Sequence, residues 1–123
     1  MLKSGEVSAR IEQRYAELRA QAERERARRV EEARGLDPQI ERLQSALSQA
    51  FAEAARDALG GKEQAARAAA ILRARVEETG REIARRLSAL GLPPNYLEPR
   101  YACEKCRDTG YVGELRNVPC ACR

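Results

Sequence analysis

Cys103, Cys106, Cys120 and Cys122 are the residues of this 123-residue chain whose type and spacing point most directly to chemistry. All four lie beyond residue 100, as a Cys-x2-Cys pair and a Cys-x-Cys pair with residues 107–119 between them. A Cys-x2-Cys turn brings two thiolates to one metal ion, and a second pair completes a tetrahedron. The chain contains no histidine. A zinc site must therefore be all-sulfur or borrow a carboxylate, and both the commonest general base and any Cys–His nucleophile pair are excluded. Four thiolates close the coordination sphere, whereas a catalytic zinc keeps a position open for water, so the expected ion is structural. Iron also accepts four thiolates, so the spacing specifies a metal more firmly than it specifies zinc. Disulfides, or a redox dithiol at Cys103 and Cys106, are the alternatives. A reducing compartment disfavours the first, and the strand–helix context needed for the second is missing.

Residues 107–119, "RDTGYVGELRNVP", read as a hairpin that carries the two pairs toward each other. Tyr111 and Val112 form one strand, the Gly113 to Asn117 stretch turns, and Val118 and Pro119 lead back. The product is a small zinc ribbon over residues 92–123, including an extended "LPPNYLEP" linker. Four thiolates on a divalent ion leave a formal charge of −2. Lys105, Arg107 and Arg116 stand beside it and can moderate that charge.

Residues 1–91 read as a helical bundle. Val7, Ile11, Tyr15, Leu18 and Ala22 recur at spacings of four and three, which predicts a helix over about 6–34. Its second half, "ERERARRVEEARG", alternates in charge and reads as a solvated face. "GLDPQI" punctuates: Gly35 suits a helix C′ position, Asp37 an N-cap and Pro38 a first helical turn. A second helix follows over 38–59, with Ile40, Leu43, Leu47, Ala50, Ala54 and Ala58 as its seam and Phe51 beside it. Gly60 and Gly61 end it. A third runs over 62–90 on Ala65, Ala69, Leu72, Val76, Ile83, Leu87 and Leu90, until Gly91 and two prolines stop it. Short loops between long helices make antiparallel neighbours. The fold class is therefore mainly α: a long antiparallel hairpin or three-helix bundle, then the ribbon, with a boundary near Gly91. The first helix either packs on the hairpin or projects from it. Alanine-rich seams bury little area, so a homo-oligomer or a partner is expected to help stabilise the bundle.

The formal charge of +4, from 23 basic and 19 acidic residues, is modest and well mixed. It permits contact with nucleic acid or an acidic protein face without arguing for either. No apolar run is long enough to cross a membrane, and "MLKSGEVSARIEQRY" lacks a signal-peptide core, so a cytoplasmic protein is expected.

"LGLPPNYLEPRYACEKCRDTGYV…PCAC" resembles the segment preceding the ATPase domain of bacterial and phage replicative-helicase loaders, primosome ATPases of the AAA+ class. Gly91, Leu92, Pro93, Tyr96, Leu97, Tyr101, Cys103, Cys106, Asp108, Thr109, Gly110, Tyr111, Cys120 and Cys122 carry the resemblance, over about residues 88–122. "DPQIERL" is similar to an element of that family's helical region. The family's phosphate-binding Gly-rich loop is not found among these 123 residues, so nucleotide binding does not carry over. The resemblance implies the amino-terminal, helicase-binding, zinc-stabilised domain of a longer protein, itself not an enzyme.

A different class of function is a free-standing zinc-ribbon adaptor for single-stranded DNA or RNA. Lys105, Arg107 and Arg116, with Arg123, would then contact phosphates, and Tyr101 and Tyr111 would stack on bases. Glu98, Glu104, Asp108 and Glu114 dilute that charge. "CEKCRDTG" also resembles half of a cysteine-rich co-chaperone repeat, but Asp108 stands where a glycine belongs and the repeats are absent.

Overall fold

The computed structural model describes residues 4–123. Three helices dominate: α1 over Ser4–Leu36, α2 over Pro38–Asp57 and α3 over Lys62–Ala89. One short 3₁₀ turn, Ala58–Gly60, follows α2. Two strands, β1 (Tyr111–Val112) and β2 (Val118–Pro119), pair antiparallel with Tyr111 opposite Pro119 and Val112 opposite Val118. All three helices and the hairpin lie within a few residues of where pattern and punctuation put them.

The chain divides into two compact units, but not at Gly91. One is built from residues up to Arg29 together with Glu98–Arg123, and the other is Val30–Leu97. The reason is burial. Leu92, Tyr96 and Leu97 pack on the cluster of Ala33, Ile40 and Leu87, so the segment after α3 belongs with the helices. The first part of α1 instead supplies apolar cover to the ribbon. Helix α1 thus contributes residues to both units.

In the unit of residues 30–97, α2 and α3 form the expected antiparallel hairpin. Its open end carries Ile40 and Leu87, both fully buried, and its other end is closed by Gly61 at φ 110°. The buried alanine of α3 is Ala68, one residue from the predicted Ala69, because 65, 68 and 72 keep the three-then-four spacing of a packed seam. Ala58 is exposed, since α2 ends at Asp57 and the 3₁₀ turn carries Ala58 out of the seam. Asp37 performs two tasks. Its Oδ1 accepts from the Gln39 N–H at 3.0 Å, capping α2, and its carboxylate receives Arg86 Nη1 at 2.9 Å. Gly35 does not terminate α1. The Asp37 N–H still bonds to the Ala33 carbonyl at 2.9 Å, so the helix continues to Leu36.

Helix α3 stops as predicted. Gly91 lies at φ 77°, its N–H bonds to Ser88 O, and the Leu92 N–H reaches Leu87 O at 2.9 Å. This double bond pattern satisfies the last carbonyls of a helix, and the packing of Leu92 against the cluster that holds Leu87 is its usual apolar complement. Phe51, Leu59, Ile71 and Val76 remain exposed.

Candidate metal centre

The Sγ atoms of Cys103, Cys106, Cys120 and Cys122 all lie within 4.8 Å of one another. All four cysteines are free thiols. A tetrahedral ion with metal–sulfur bonds of about 2.3 Å has sulfur–sulfur edges of about 3.8 Å. The Cys103–Cys120 edge is 3.8 Å and the Cys106–Cys122 edge is 3.6 Å. The donor set and its dimensions therefore fit one ion. An iron–sulfur cluster would spread the thiolates over several irons and needs wider spacing.

Local backbone geometry makes this cluster from the sequence. The chain turns back after Cys106 because Arg107 and Asp108 adopt left-handed conformations, φ 51° and 56°. The Asp108 side chain, 1% exposed, then reaches back and accepts from the Cys103 N–H at 2.8 Å and from the Ala102 N–H at 2.9 Å. A buried carboxylate with two backbone donors is compensated by charge-assisted hydrogen bonds, and it locks the first cysteine in place. Thr109 Oγ1 donates to Cys106 O at 2.6 Å and accepts from the Tyr111 N–H at 3.2 Å, steering the chain into β1. The turn after β1 places Arg116 at φ 53°, and the Cys120 N–H bonds to Gly110 O at 2.8 Å, bringing the second pair to the first.

Cover for the metal site comes from α1. Tyr15, Cys106 and Cys120 form one buried cluster, with Ile11, Leu18, Cys103 and Val112 against it. The Tyr15 hydroxyl lies 3.2 Å from Cys122 Sγ. Gly110 lies at φ 82°, and a Cβ there would sit 2.8 Å from the Tyr15 ring, so this close approach requires glycine. Arg19 Nη1 donates to Asp108 O at 2.8 Å. Glu12 accepts from the Tyr111 hydroxyl at 3.2 Å and pairs with Arg123 at 2.9 Å, while the Arg123 guanidinium stacks over Tyr111, 4.5 Å from the ring centre.

These contacts set the electrostatics. The Cys103 thiol is pulled down to about 7, first by the Cys106 backbone N–H, then by Cys122. Cys122, although exposed, is pushed up to about 12: the Tyr15 hydroxyl acts against the rise, but partial desolvation of the thiol and the three neighbouring thiols outweigh it. Tyr15 rises to about 12, because its bond to Cys122 and its burial both favour the protonated phenol. Ionising one thiol thus opposes ionising its neighbours, an opposition that a bound cation relieves.

The residues expected to contact a partner separate into three groups. Arg107, Arg116 and Tyr101 line one groove, together with Arg19 and Glu23 of α1. Tyr111 is engaged by Glu12 and Arg123 instead. Lys105 is exposed, and its backbone N–H is a lesser cause of the lowered Cys103. Arg116 bonds to the Cys106 carbonyl at 3.3 Å rather than to a sulfur.

Sequence reasoning missed the roles of Tyr15, Asp108 and Arg19. Tyr15 had a signal, as the one aromatic in an otherwise aliphatic seam. Asp108 carried one as well, two residues past Cys106 and within reach of the knuckle's amides.

Comparison with family models, with curated proteins and with solved structures returns no match. No helix among the described residues is long and apolar enough to cross a membrane.

Proposed function

We propose that this chain is a protein-interaction module of the helicase-loader type, which binds the replicative helicase and is stabilised by a structural zinc ion. The observation that carries the structural-metal half is the closed set of four sulfurs, all within 4.8 Å. Four protein ligands leave no coordination position for a substrate or water, so the ion's work is to hold a segment that cannot build its own core. Zinc is favoured over iron as an ion with no redox chemistry in a site whose ligand shell is all structural.

The interaction half rests on the resemblance over residues 88–122 and on the hairpin surface. Phe51 is 52% exposed and Ile71 59% exposed, and exposed apolar side chains on long amphipathic helices suit a groove or helix pair on a partner. The test is size-exclusion chromatography and calorimetry of the zinc-loaded chain with a purified replicative helicase. A complex that is lost in a Phe51→Asp, Ile71→Asp variant of unchanged helix content supports the reading. Absence of a complex at tens of micromolar removes it. Elemental analysis decides the ion independently: one zinc per chain is expected, and iron in its place refutes that half.

A further inference from the structure

Arg19, Arg107, Arg116 and Tyr101 line a groove of about 470 Å³ in the unit that holds the cysteines, with Glu23 and Thr109 also at its wall. Small-molecule sites usually measure about 300–1,000 Å³. The groove's polar chemistry is cationic. Three guanidiniums face one carboxylate, and Glu23 is itself paired with Arg26 at 3.2 Å. The Thr109 hydroxyl is committed to Cys106 O and the Tyr111 N–H.

Two of the arginines are pinned. Arg19 Nη1 donates to Asp108 O at 2.8 Å and Arg116 Nη1 to Cys106 O at 3.3 Å. A guanidinium has five N–H donors, so one anchoring bond orients the fork and leaves the rest for a ligand. The backbone adds an independent observation. Arg107 at φ 51° and Arg116 at φ 53° occupy the left-handed region, where glycine is the relaxed residue and a long side chain is disfavoured. Both strained positions feed the same groove. Strain of this kind persists where the side chain has a use that glycine would forfeit.

We propose that this groove binds a nucleotide, its phosphate held by Arg19, Arg107 and Arg116 and its base stacked on Tyr101. Guanidinium forks match phosphate oxygens in pairs, and an aromatic ring beside them supplies a platform any base can use. An acidic peptide shares the charge but has no use for the ring. The site is independent of helicase binding, and none of the four cysteines lines it.

The experiment uses the full zinc-loaded chain and a fluorescein-labelled oligothymidylate, followed by anisotropy across a salt series. Binding is expected to weaken with a log–log salt slope no steeper than about −2, from three phosphate-facing arginines on a single strand. The Arg107→Gly, Arg116→Gly variant relieves both left-handed positions. It should keep its zinc and its melting temperature while binding falls about tenfold or more. Tyr101→Leu, which replaces none of the four cysteines, should weaken binding about fivefold or more. Competition separates the sources: displacement by free ATP or TMP identifies a mononucleotide, and displacement only by unlabelled oligomer identifies a strand. Either result supports the site. No binding at about 50 mM salt, where such contacts are strong, would overturn it. So would binding that survives both variants, or displacement by an Asp/Glu-rich peptide more readily than by any nucleotide. If the glycine variant loses zinc, Tyr101→Leu decides.

Discussion

The buried residues of the two units differ in kind. In the unit of residues 30–97 they are aliphatic: Ala33, Ile40, Ala50, Ala68 and Leu87. In the unit that joins the first part of α1 to Glu98–Arg123 they are Tyr15, Ala22, Cys106, Asp108, Gly110 and Cys120. The helical unit is held chiefly by area removed from water, which is tolerant of detail, with the Asp37 cap and its Arg86 pair added at one end. The ribbon unit has two-residue strands and a buried carboxylate, so its stability rests on directional bonds and on what its four clustered thiols can bind. A short segment with little apolar area substitutes ligand bonds for a core, and it must recruit a neighbouring helix to cover the ligands.

The largest test of that difference is metal removal. Apparent binding free energies of structural zinc are about 10–16 kcal/mol, and where the site is not preformed this is folding energy. Chelation should abolish hydrogen-exchange protection across residues 98–123 and much reduce it over Ile11–Ala22, while Ile40–Ala54 and Leu72–Leu87 stay protected. Protection that survives in Ile11–Ala22 would mean that α1 does not share the metal unit's core.

Leu87→Ala should act in the opposite unit. A fully buried leucine at the meeting point of Ala33 and Ile40 is expected to contribute about 2–5 kcal/mol. Thermal unfolding of the hairpin should shift accordingly, with zinc affinity unchanged. A parallel fall in zinc affinity would show the units to be one cooperative block.

Asp108→Asn retains shape but turns an amide toward one of the two backbone N–H groups that the carboxylate accepts. A loss of about 1.5–3 kcal/mol is expected from the charge-assisted bonds. Zinc affinity should fall about 10- to 100-fold, the usual effect of losing an outer-shell partner. A competition titration with a chromophoric chelator would show this, and an unchanged affinity would remove Asp108 from the site.

Acid should separate the units further. Arg86 beside Asp37, with the Gln39 N–H, holds the Asp37 carboxyl below its usual range. A depressed folded-state value contributes stability that is present above the unfolded value, about 3.9, and lost as pH falls through the folded one. The melting difference between the native chain and Asp37→Asn should thus be constant from pH 5 to 8 and vanish in stronger acid. Zinc should leave the ribbon earlier, since every ligand must be a thiolate. Coincident transitions would contradict two separate sources of stability.

Tyr15→Phe is the finest probe. It removes only the hydroxyl beside Cys122 and leaves the ring over the cluster. Zinc affinity should fall by about tenfold or less. A loss as large as that of Asp108→Asn would mean that the hydroxyl, not the ring, is what α1 contributes.

Composition, spacing and punctuation determined the helices, the hairpin in the ribbon, the Asp37 cap, the Gly91 stop and the four-sulfur set. Each of these is a local matter: a periodic seam, a dipeptide turn, or cysteines two or three residues apart, whose physics acts over one or two turns of chain. Tertiary structure alone decided which helix residues serve which partner. Tyr15 meets Cys122, Arg19 meets Asp108 and Glu12 meets Arg123 across roughly ninety or more residues, and no local preference announces such pairs. The same holds for the boundary. Leu92, Tyr96 and Leu97 look like linker by composition, but they join the helices because Ala33, Ile40 and Leu87 leave an apolar surface for them to cover.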